Sequence, residues 1–243
     1  MLSLLERHSR LLKKNIINTQ QYFYNSVKQG KKILLEGAQG THLDIDFGTY
    51  PFVTSSNTTI GGASTGLGIG PKLIGDVIGI MKAYTTRVGN GPFPTELTGE
   101  IGEKIREIGS EFGATTGRPR RCGWWDGVAG KISAQLNNID YLAITKLDVL
   151  DSFKSIKLCV GYKINGEIVQ YLPSDHDVVD RIEPVYEEME GWNTELREIR
   201  EYDKLPVQAK KYLERIEEFT EVEILMVSVG PRRSETIWKK DLT

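Results

Sequence analysis

The sequence predicts an α/β fold: a mostly parallel sheet flanked by helices, with one small antiparallel hairpin excursion. Three observations point there. Short apolar runs of strand length, YLAIT and EVEILMVSVG, alternate with segments whose apolar residues recur at helical spacing. Near residues 156–172 the stretch SIKLCVGYKINGEIVQYL breaks that alternation, and its Asn165-Gly166 pair is a strong hairpin turn signal. The length, 243 residues, suits one large α/β unit with a substantial core.

Taken in order, residues 16–29 (IINTQQYFYNSVKQ) read as a helix closed by Gly30, and KKILLEG as a short buried strand running into a loop. No phosphate-binding strand and loop precede it, so the usual first unit of a doubly wound sheet is expected to be missing. From Gly37 to Gly70 the chain is rich in Gly, Thr, Ser and Asn, and the interleaved Leu43, Ile45, Tyr50, Phe52 and Val53 favour an ordered loop. Within PKLIGDVIGIMKAY, Ile74, Val77, Ile78 and Met81 fall at helical spacing behind Pro71, which predicts a helix packed on a sheet. Ile101, Ile105, Ile108 and Phe112 mark another helix, and Val128, Ile132 and Leu136 a third; the arginine-rich segment between them reads as a loop. The charged stretch Pro173 to Lys204 is expected at the periphery. Pro206 then starts a helix carrying Ala209, Leu213, Ile216 and Phe219, before the last strand. One unit over residues 1–243 is expected, with a core at 15–155, a peripheral hairpin and helical excursion at 156–205 and a helix-strand unit at 206–243.

Thirty-one basic against 33 acidic residues give a formal charge of -2, which argues against bulk binding to nucleic acid or an anionic membrane. Anion recognition must therefore be local. Cys122 and Cys159 lack the spacing of a metal site or disulfide framework, so a reduced, cytoplasmic protein is expected. The apolar runs, such as Ile224 to Val229, are too short for a bilayer span, and the N-terminus has no signal-peptide core. No internal repeat, heptad or low-complexity tract stands out.

Three segments carry chemistry. Thr145-Lys146-Leu147-Asp148 ends a strand, where ligands of α/β sheets bind. A carboxylate there can accept from the N1 and 2-amino groups of guanine, and the lysine stem can cover the base. Adenine lacks those two donors, so such a site discriminates by roughly 10⁴ or more. A plain surface ion pair between Lys146 and Asp148 is the other reading. In ATTGRPRRCGWWD, Arg118, Arg120 and Arg121 repel one another unless carboxylates or phosphates lie between them, and Thr115, Thr116 and Gly117 add hydroxyl donors and room for close approach. That density favours ligand binding over a solvated loop. In EGAQGTHLDIDFGTYPFVTSSNTTIGG, Gln39, Thr54, Ser55, Ser56 and Asn57 suit phosphate and purine edges, and a polar turn is the plainer alternative. His42, like His8 and His176, has no partner at metal-ligand spacing and reads as an ordinary polar residue. Asp44 and Asp46 could act together on one side of a strand, with a capping or ion-pair role at least as well supported. GLGIG has neither the spacing nor the preceding strand of a dinucleotide fingerprint.

Together, LLEGAQGTHLDIDFGTYPFVTSSNTT, KAYTTRVGNGPFPTEL, FGATTGRPRRCGW, ITKLDVLD, KLCVGY and SVGPRRSET resemble adenylosuccinate synthetase, in that family's order and spacing from about residue 20 onward. The resemblance implies a P-loop-NTPase-like fold and a two-step reaction. GTP phosphorylates the 6-oxygen of IMP, and the amino group of L-aspartate displaces that phosphate to give adenylosuccinate. It implies IMP contacts at Gln39, Thr54, Val88 and Arg118, and an aspartate loop of Ala114, Thr115, Thr116, Gly117, Arg118, Pro119 and Arg120. GTP contacts are implied at Arg120, Lys146, Leu147, Asp148, Ser228, Val229 and Gly230. Pro119 stands where arginine is common in the family and fixes one φ angle without removing Arg118 or Arg120.

The family's GDEGKGK-type phosphate loop, with its aspartate base, magnesium ligand and nearby histidine acid, has no counterpart in these residues. The expectation is the C-terminal portion of such an enzyme, inactive alone, with Mg²⁺ as the family's cofactor but no metal ligand or catalytic acid or base here. A homodimer is expected for the full enzyme. The alternative is a non-catalytic guanine or purine nucleotide-binding module, or half of a split enzyme completed in trans. An independent GTPase is disfavoured, since GxxxxGK[ST] does not occur.

Overall fold

The computed structural model describes residues 2–113, 117–173, 176–179 and 181–240. Its helices are α1 (Leu2–Leu12), α2 (Thr19–Lys28), α3 (Gly61–Leu67), α4 (Glu100–Ile108), α5 (Gly127–Asn137), α6 (His176–Val179) and α7 (Val207–Thr220). The strands are β1 (Ile78–Lys82), β2 (Thr85–Arg87), β3 (Arg121–Gly123), β4 (Trp125–Asp126), β5 (Tyr141–Thr145), β6 (Ser155–Ile164), β7 (Glu167–Val169), β8 (Glu183–Glu190), β9 (Glu223–Ser228) and β10 (Thr236–Trp238).

The principal sheet runs β1-β5-β9-β10, the first three strands parallel and β10 antiparallel. Parallel order puts the C-terminal ends of β1, β5 and β9 side by side, and the segments that follow them form the candidate site. A second sheet joins β4, β6 and β7, with β8 antiparallel on the other edge of β6. The β6–β7 turn is Asn165-Gly166, both at positive φ (51° and 90°), the geometry a two-residue hairpin requires. Helix α7 packs against both β9 and β8, so its apolar stripe is shared between the two sheets. Ala209, Leu213 and Ile216 on that stripe are fully buried, Leu213 and Ile216 contributing about 1.5–3 kcal/mol each. The Tyr212 hydroxyl donates to the Ala83 carbonyl at 2.6 Å, fixing the helix to the end of β1.

Local signals set the helix ends. Asn18 caps α2 by accepting from the Gln21 N–H at 3.1 Å, and Gly30, left-handed at φ 67°, ends it while the Lys31 N–H returns to the Ser26 carbonyl. Asp126 caps α5 through the Ala129 N–H at 3.1 Å.

Four expectations are corrected. Residues 78–82, expected in a helix, form strand β1. Glycines at 75 and 79 and the β-branched Val77, Ile78 and Ile80 disfavour helix, and pairing with β5 decides the outcome. KKILLEG is not a strand: no described strand pairs with it, and Leu34 is 91% exposed. An extended segment gains a ladder only against a neighbour. The stretch after Pro173 contributes β8, and Trp192 and Leu196 are buried in the main core rather than peripheral. The arginine segment is not loop throughout, because Arg121–Gly123 pairs with β2 and Trp125–Asp126 with β6.

Candidate nucleotide-binding site

Strand β5 delivers the segment Lys146–Asp148. Lys146 turns in the left-handed region (φ 61°, ψ 36°), and Leu147 is fully buried, so the core anchors the turn from below. Asp148 is half-buried, and its Oδ1 is shut off from solvent without a hydrogen-bond partner. Burial pushes its carboxyl up; its own backbone N–H, Arg197 and Lys146 oppose the rise. A carboxylate oxygen in that state calls for a donor. Lys146 does not supply it: its Nζ donates to the Gly109 carbonyl at 2.6 Å and to Glu111 Oε1 at 2.9 Å.

Beside it, the end of β9 supplies Ser228, Val229 and Gly230. The Ser228 hydroxyl donates to the Gly230 carbonyl at 2.8 Å and the Val229 N–H to the Glu235 carbonyl at 2.9 Å. Buried Glu235 lies against this turn, accepting from the Arg232 N–H at 2.7 Å and from Arg197 Nε at 3.2 Å. A Cβ on Gly230 would stand 2.5 Å from Glu235 Oε2, so only glycine lets the carboxylate lie there without a shift.

The arginine segment finds counter-charges within its own chain. Arg120 Nη1 meets Glu111 Oε2 at 2.7 Å, and Arg121 pairs with Glu96 through two nitrogens, Nε at 2.8 Å. Glu111 is fully buried and also accepts from Lys82 Nζ at 2.8 Å and the Tyr84 hydroxyl at 2.5 Å. Burial alone would raise the Glu111 carboxyl, but Lys82, Tyr84 and Lys146 hold it at about 2. Arg120 Nε remains buried with no partner. At the loop base, the Gly113 N–H donates to the Arg118 carbonyl and the Arg120 N–H to the Glu111 carbonyl, at 2.8 and 2.9 Å. Ala114, Thr115 and Thr116 lie outside the described residues; Gly117 is left-handed at φ 64°.

A further candidate segment is the loop after Gly37. Gln39 is exposed at positive φ (62°). Asp44 is fully buried and takes four backbone N–H groups, those of Asp46 and Phe47 on one oxygen and of Thr58 and Thr59 on the other, at 2.7–3.1 Å. Against the upward push of burial, these donors hold its carboxyl at about 2. Asp44 is thus a structural clasp, and Asp46 accepts from Asn57 at 2.6 Å. The clasp closes the loop on which the Thr54 N–H donates to the Leu43 carbonyl at 2.8 Å. Arg87 binds the Thr49 hydroxyl at 2.9 Å and the Phe52 carbonyl at 3.0 Å, tying the exposed Val88 segment to the loop that carries Thr54. His42 places Nε2 3.2 Å from the Ala129 carbonyl, and burial lowers its pKa, as suits a packed, neutral imidazole. Glu96 and Glu235 lie inside the motif segments but were not singled out as partners, and Glu111 lies just outside one; the signal that could have found them is the local cluster of arginines, which needed counter-charges.

The adenylosuccinate synthetase family model matches residues 1–237. The adenylosuccinate synthetase of Trichlorobacter lovleyi is 53% identical over 233 residues, 96% of this chain and 54% of the relative. That of Caldanaerobacter subterraneus subsp. tengcongensis is 53% identical over 230 residues, 95% and 54% of the two chains. The solved structure of the fully ligated adenylosuccinate synthetase from Plasmodium falciparum aligns with a TM-score of 0.96 at 43% identity, over 98% of this chain and 57% of that one. The chain therefore spans about half the length of the curated relatives it matches. Among the described residues, no helix is long and apolar enough to cross a membrane. A single family accounts for both the sequence match and the backbone match along nearly the whole chain: this chain belongs to the adenylosuccinate synthetase family.

Proposed function

We propose that the chain forms the IMP-, aspartate- and guanine-binding part of a cytoplasmic adenylosuccinate synthetase, the GTP-dependent ligase that joins IMP and L-aspartate. The observation that supports this best is the Asp148 carboxylate at the C-terminal end of β5, with a buried oxygen that has no partner. Guanine N1–H and the 2-amino group are the donors it lacks. Ser228–Gly230 stand at the neighbouring strand end, and the Lys146 stem borders the same turn. In this reading Gln39 donates to the IMP 6-oxygen and orients it as the phosphoryl acceptor. Thr54 takes the IMP phosphate and the Val88 backbone the ribose. Arg118 and the 114–120 loop hold the aspartate carboxylates so that its amine faces the purine, and Arg120 reaches the GTP phosphates.

Among the described residues, no three His, Cys, Asp or Glu side chains stand close enough to hold a metal ion. Mg²⁺ is the cofactor that the family implies, and none of the roles assigned above runs through it. The proton transfers likewise have no assigned group here. The pure 243-residue chain is therefore expected to give no adenylosuccinate from GTP, IMP, Mg²⁺ and aspartate; steady turnover would overturn this assignment of inactivity.

Binding is tested separately, by calorimetric titration with GDP and ADP. GDP should bind at least about 100-fold more tightly than ADP, and Asp148→Ala should abolish that preference. Equal affinities would remove the guanine reading. A second reading, half of an enzyme completed in trans, is favoured by the outer strand β1, whose Ile80 is 76% exposed. A homodimer would follow on completion. Mixing with a separately expressed N-terminal part of a relative should then restore turnover.

A further inference from the structure

We propose that Arg197 is a positioning residue for guanine recognition, the counter-charge that lets the carboxylates of Asp148 and Glu235 share the base-reading end of the principal sheet. The inference rests on the guanine reading above and extends it to a residue that lies outside every motif segment.

The fold delivers Arg197 to that end. The turn after β5, Leu147–Leu150, closes on Asp151, whose Oδ1 accepts from Trp192 Nε1 at 2.8 Å and whose Oδ2 accepts from the Leu196 N–H at 2.9 Å. One turn thus carries both the proposed base acceptor, Asp148, and the clasp for the segment 192–196, whose Trp192 and Leu196 are buried in the core. The next residue, Arg197, faces solvent and sets Nε 3.2 Å from Glu235 Oε1. Glu235 is buried; it takes the Arg232 N–H at 2.7 Å and lies against Gly230, where an added Cβ would stand 2.5 Å from Oε2. Arg197 therefore acts on the base site from two directions. It steadies the carboxylate on which the Gly230 turn rests, and its charge falls on Asp148.

The charges at this end call for such a partner. Asp148, Asp151 and Glu235 are all acids, and the nearby Lys146 Nζ is already bound to Glu111 at 2.9 Å. Burial above all, with the Glu235 charge, pushes the Asp148 carboxyl up; its own backbone N–H, Arg197 and Lys146 oppose the rise. Asp151, pushed up to about 6 by burial, also faces Asp148, as does the Tyr84 hydroxyl, which burial and Glu111 keep neutral. An ionised carboxylate accepts from guanine N1–H and from the 2-amino group, whereas protonation turns one of its oxygens into a donor. Without the Arg197 charge the Asp148 carboxyl takes up its proton at a higher pH, and the guanine acceptor is lost with it.

The test is calorimetric titration of the 243-residue chain with GDP between about pH 5 and pH 8, and with ADP at about pH 7. Arg197→Gln should weaken GDP about fivefold or more at about pH 7, narrow the preference over ADP, and shift the acid-side loss of GDP affinity to higher pH. Arg197→Lys keeps the charge and should return the acid-side loss toward its wild-type position. The phosphate groups of GDP titrate alike against all three proteins, so a shift between proteins belongs to the protein. Because Arg197 faces solvent, Tm should stay within about 1–2 °C of wild type in both variants. A merely structural role would weaken GDP equally at every pH, without rescue by lysine, and that result overturns the proposal. So does an Arg197→Gln chain that binds GDP as the wild type does. If the wild type itself binds GDP no better than ADP, the guanine reading falls first and the role of Arg197 with it.

Discussion

Asp126 and Glu111 are both buried acids, and their surroundings drive them in opposite directions. Around Glu111 stand three cations; around Asp126 the described residues place neutral donors, the Ala129 and Val128 N–H groups and the Tyr162 hydroxyl, which lies 2.8 Å from both oxygens. Burial therefore wins at Asp126 and pushes its carboxyl up to about 6, with the hydrogen bonds offsetting part of the rise. In the folded chain this group holds its proton between about 3.8 and 6, where the unfolded chain has lost it. Its contribution to stability is complete below the lower value and is lost as pH rises through about 6, a difference on the order of 3 kcal/mol. Glu111, held near 2, has the opposite sign: its contribution is present above 4.5 and is lost as pH falls toward 2. Asp126→Asn is neutral at every pH and keeps an oxygen for the Ala129 N–H. Relative to wild type, its urea midpoint should therefore be higher at about pH 7.5 than at about pH 4.5. A midpoint difference that does not change with pH would mean that Asp126 titrates at its ordinary value.

Elements with a self-contained signal were legible in the sequence. Helices α5 and α7, strand β5 and the Asn165-Gly166 hairpin each carry their own pattern and ends. Strand β1 was not, because chance spacing of Ile74, Val77, Ile78 and Met81 mimics a helix, and the decision came from pairing with β5, some sixty positions away. Nor was β8: its glutamates fall in the charged stretch expected at the periphery, whereas Lys157, Lys163 and Arg215 pair with Glu188, Glu183 and Glu187 along its length. The site divides the same way. Its motif segments are local in the chain, while Glu111 meets Lys82 and Lys146 across separations of 29 and 35 residues that no pattern announces. Tertiary contact also overrides propensity in α4. Alanine is the better helix former by about 1 kcal/mol, but a Cβ on Gly102 would lie 1.9 Å from the Leu97 carbonyl oxygen. Gly102→Ala is accordingly expected to destabilise by about 1–3 kcal/mol and lower Tm by roughly 3–10 °C. A raised Tm would show that the 97–102 backbone yields freely.

At the scale of the molecule, apolar surface is distributed very unevenly. The core between the two sheets is closed, while α1 shows Leu2, Leu4, Leu5, Leu11 and Leu12 to solvent and β1 shows Ile80 from the outer strand of the principal sheet. An outer strand with apolar side chains and unpaired ladder groups is a template for another chain. The relatives are about twice as long as the aligned region, and if the proposed function holds, the rest of such a chain is the natural cover for this face. The isolated chain should then self-associate, with an elution position that shifts with concentration in size-exclusion chromatography with light scattering. Ile80→Lys places a charge on the outer strand at a position already 76% exposed, so it should suppress association while leaving Tm within about 1–2 °C of wild type. Association that persists in Ile80→Lys would place the sticky surface elsewhere, on α1 or around Leu34. A large fall in Tm would mean that Ile80 already packs against the rest of the chain, and that this edge is not a surface for anything else to cover.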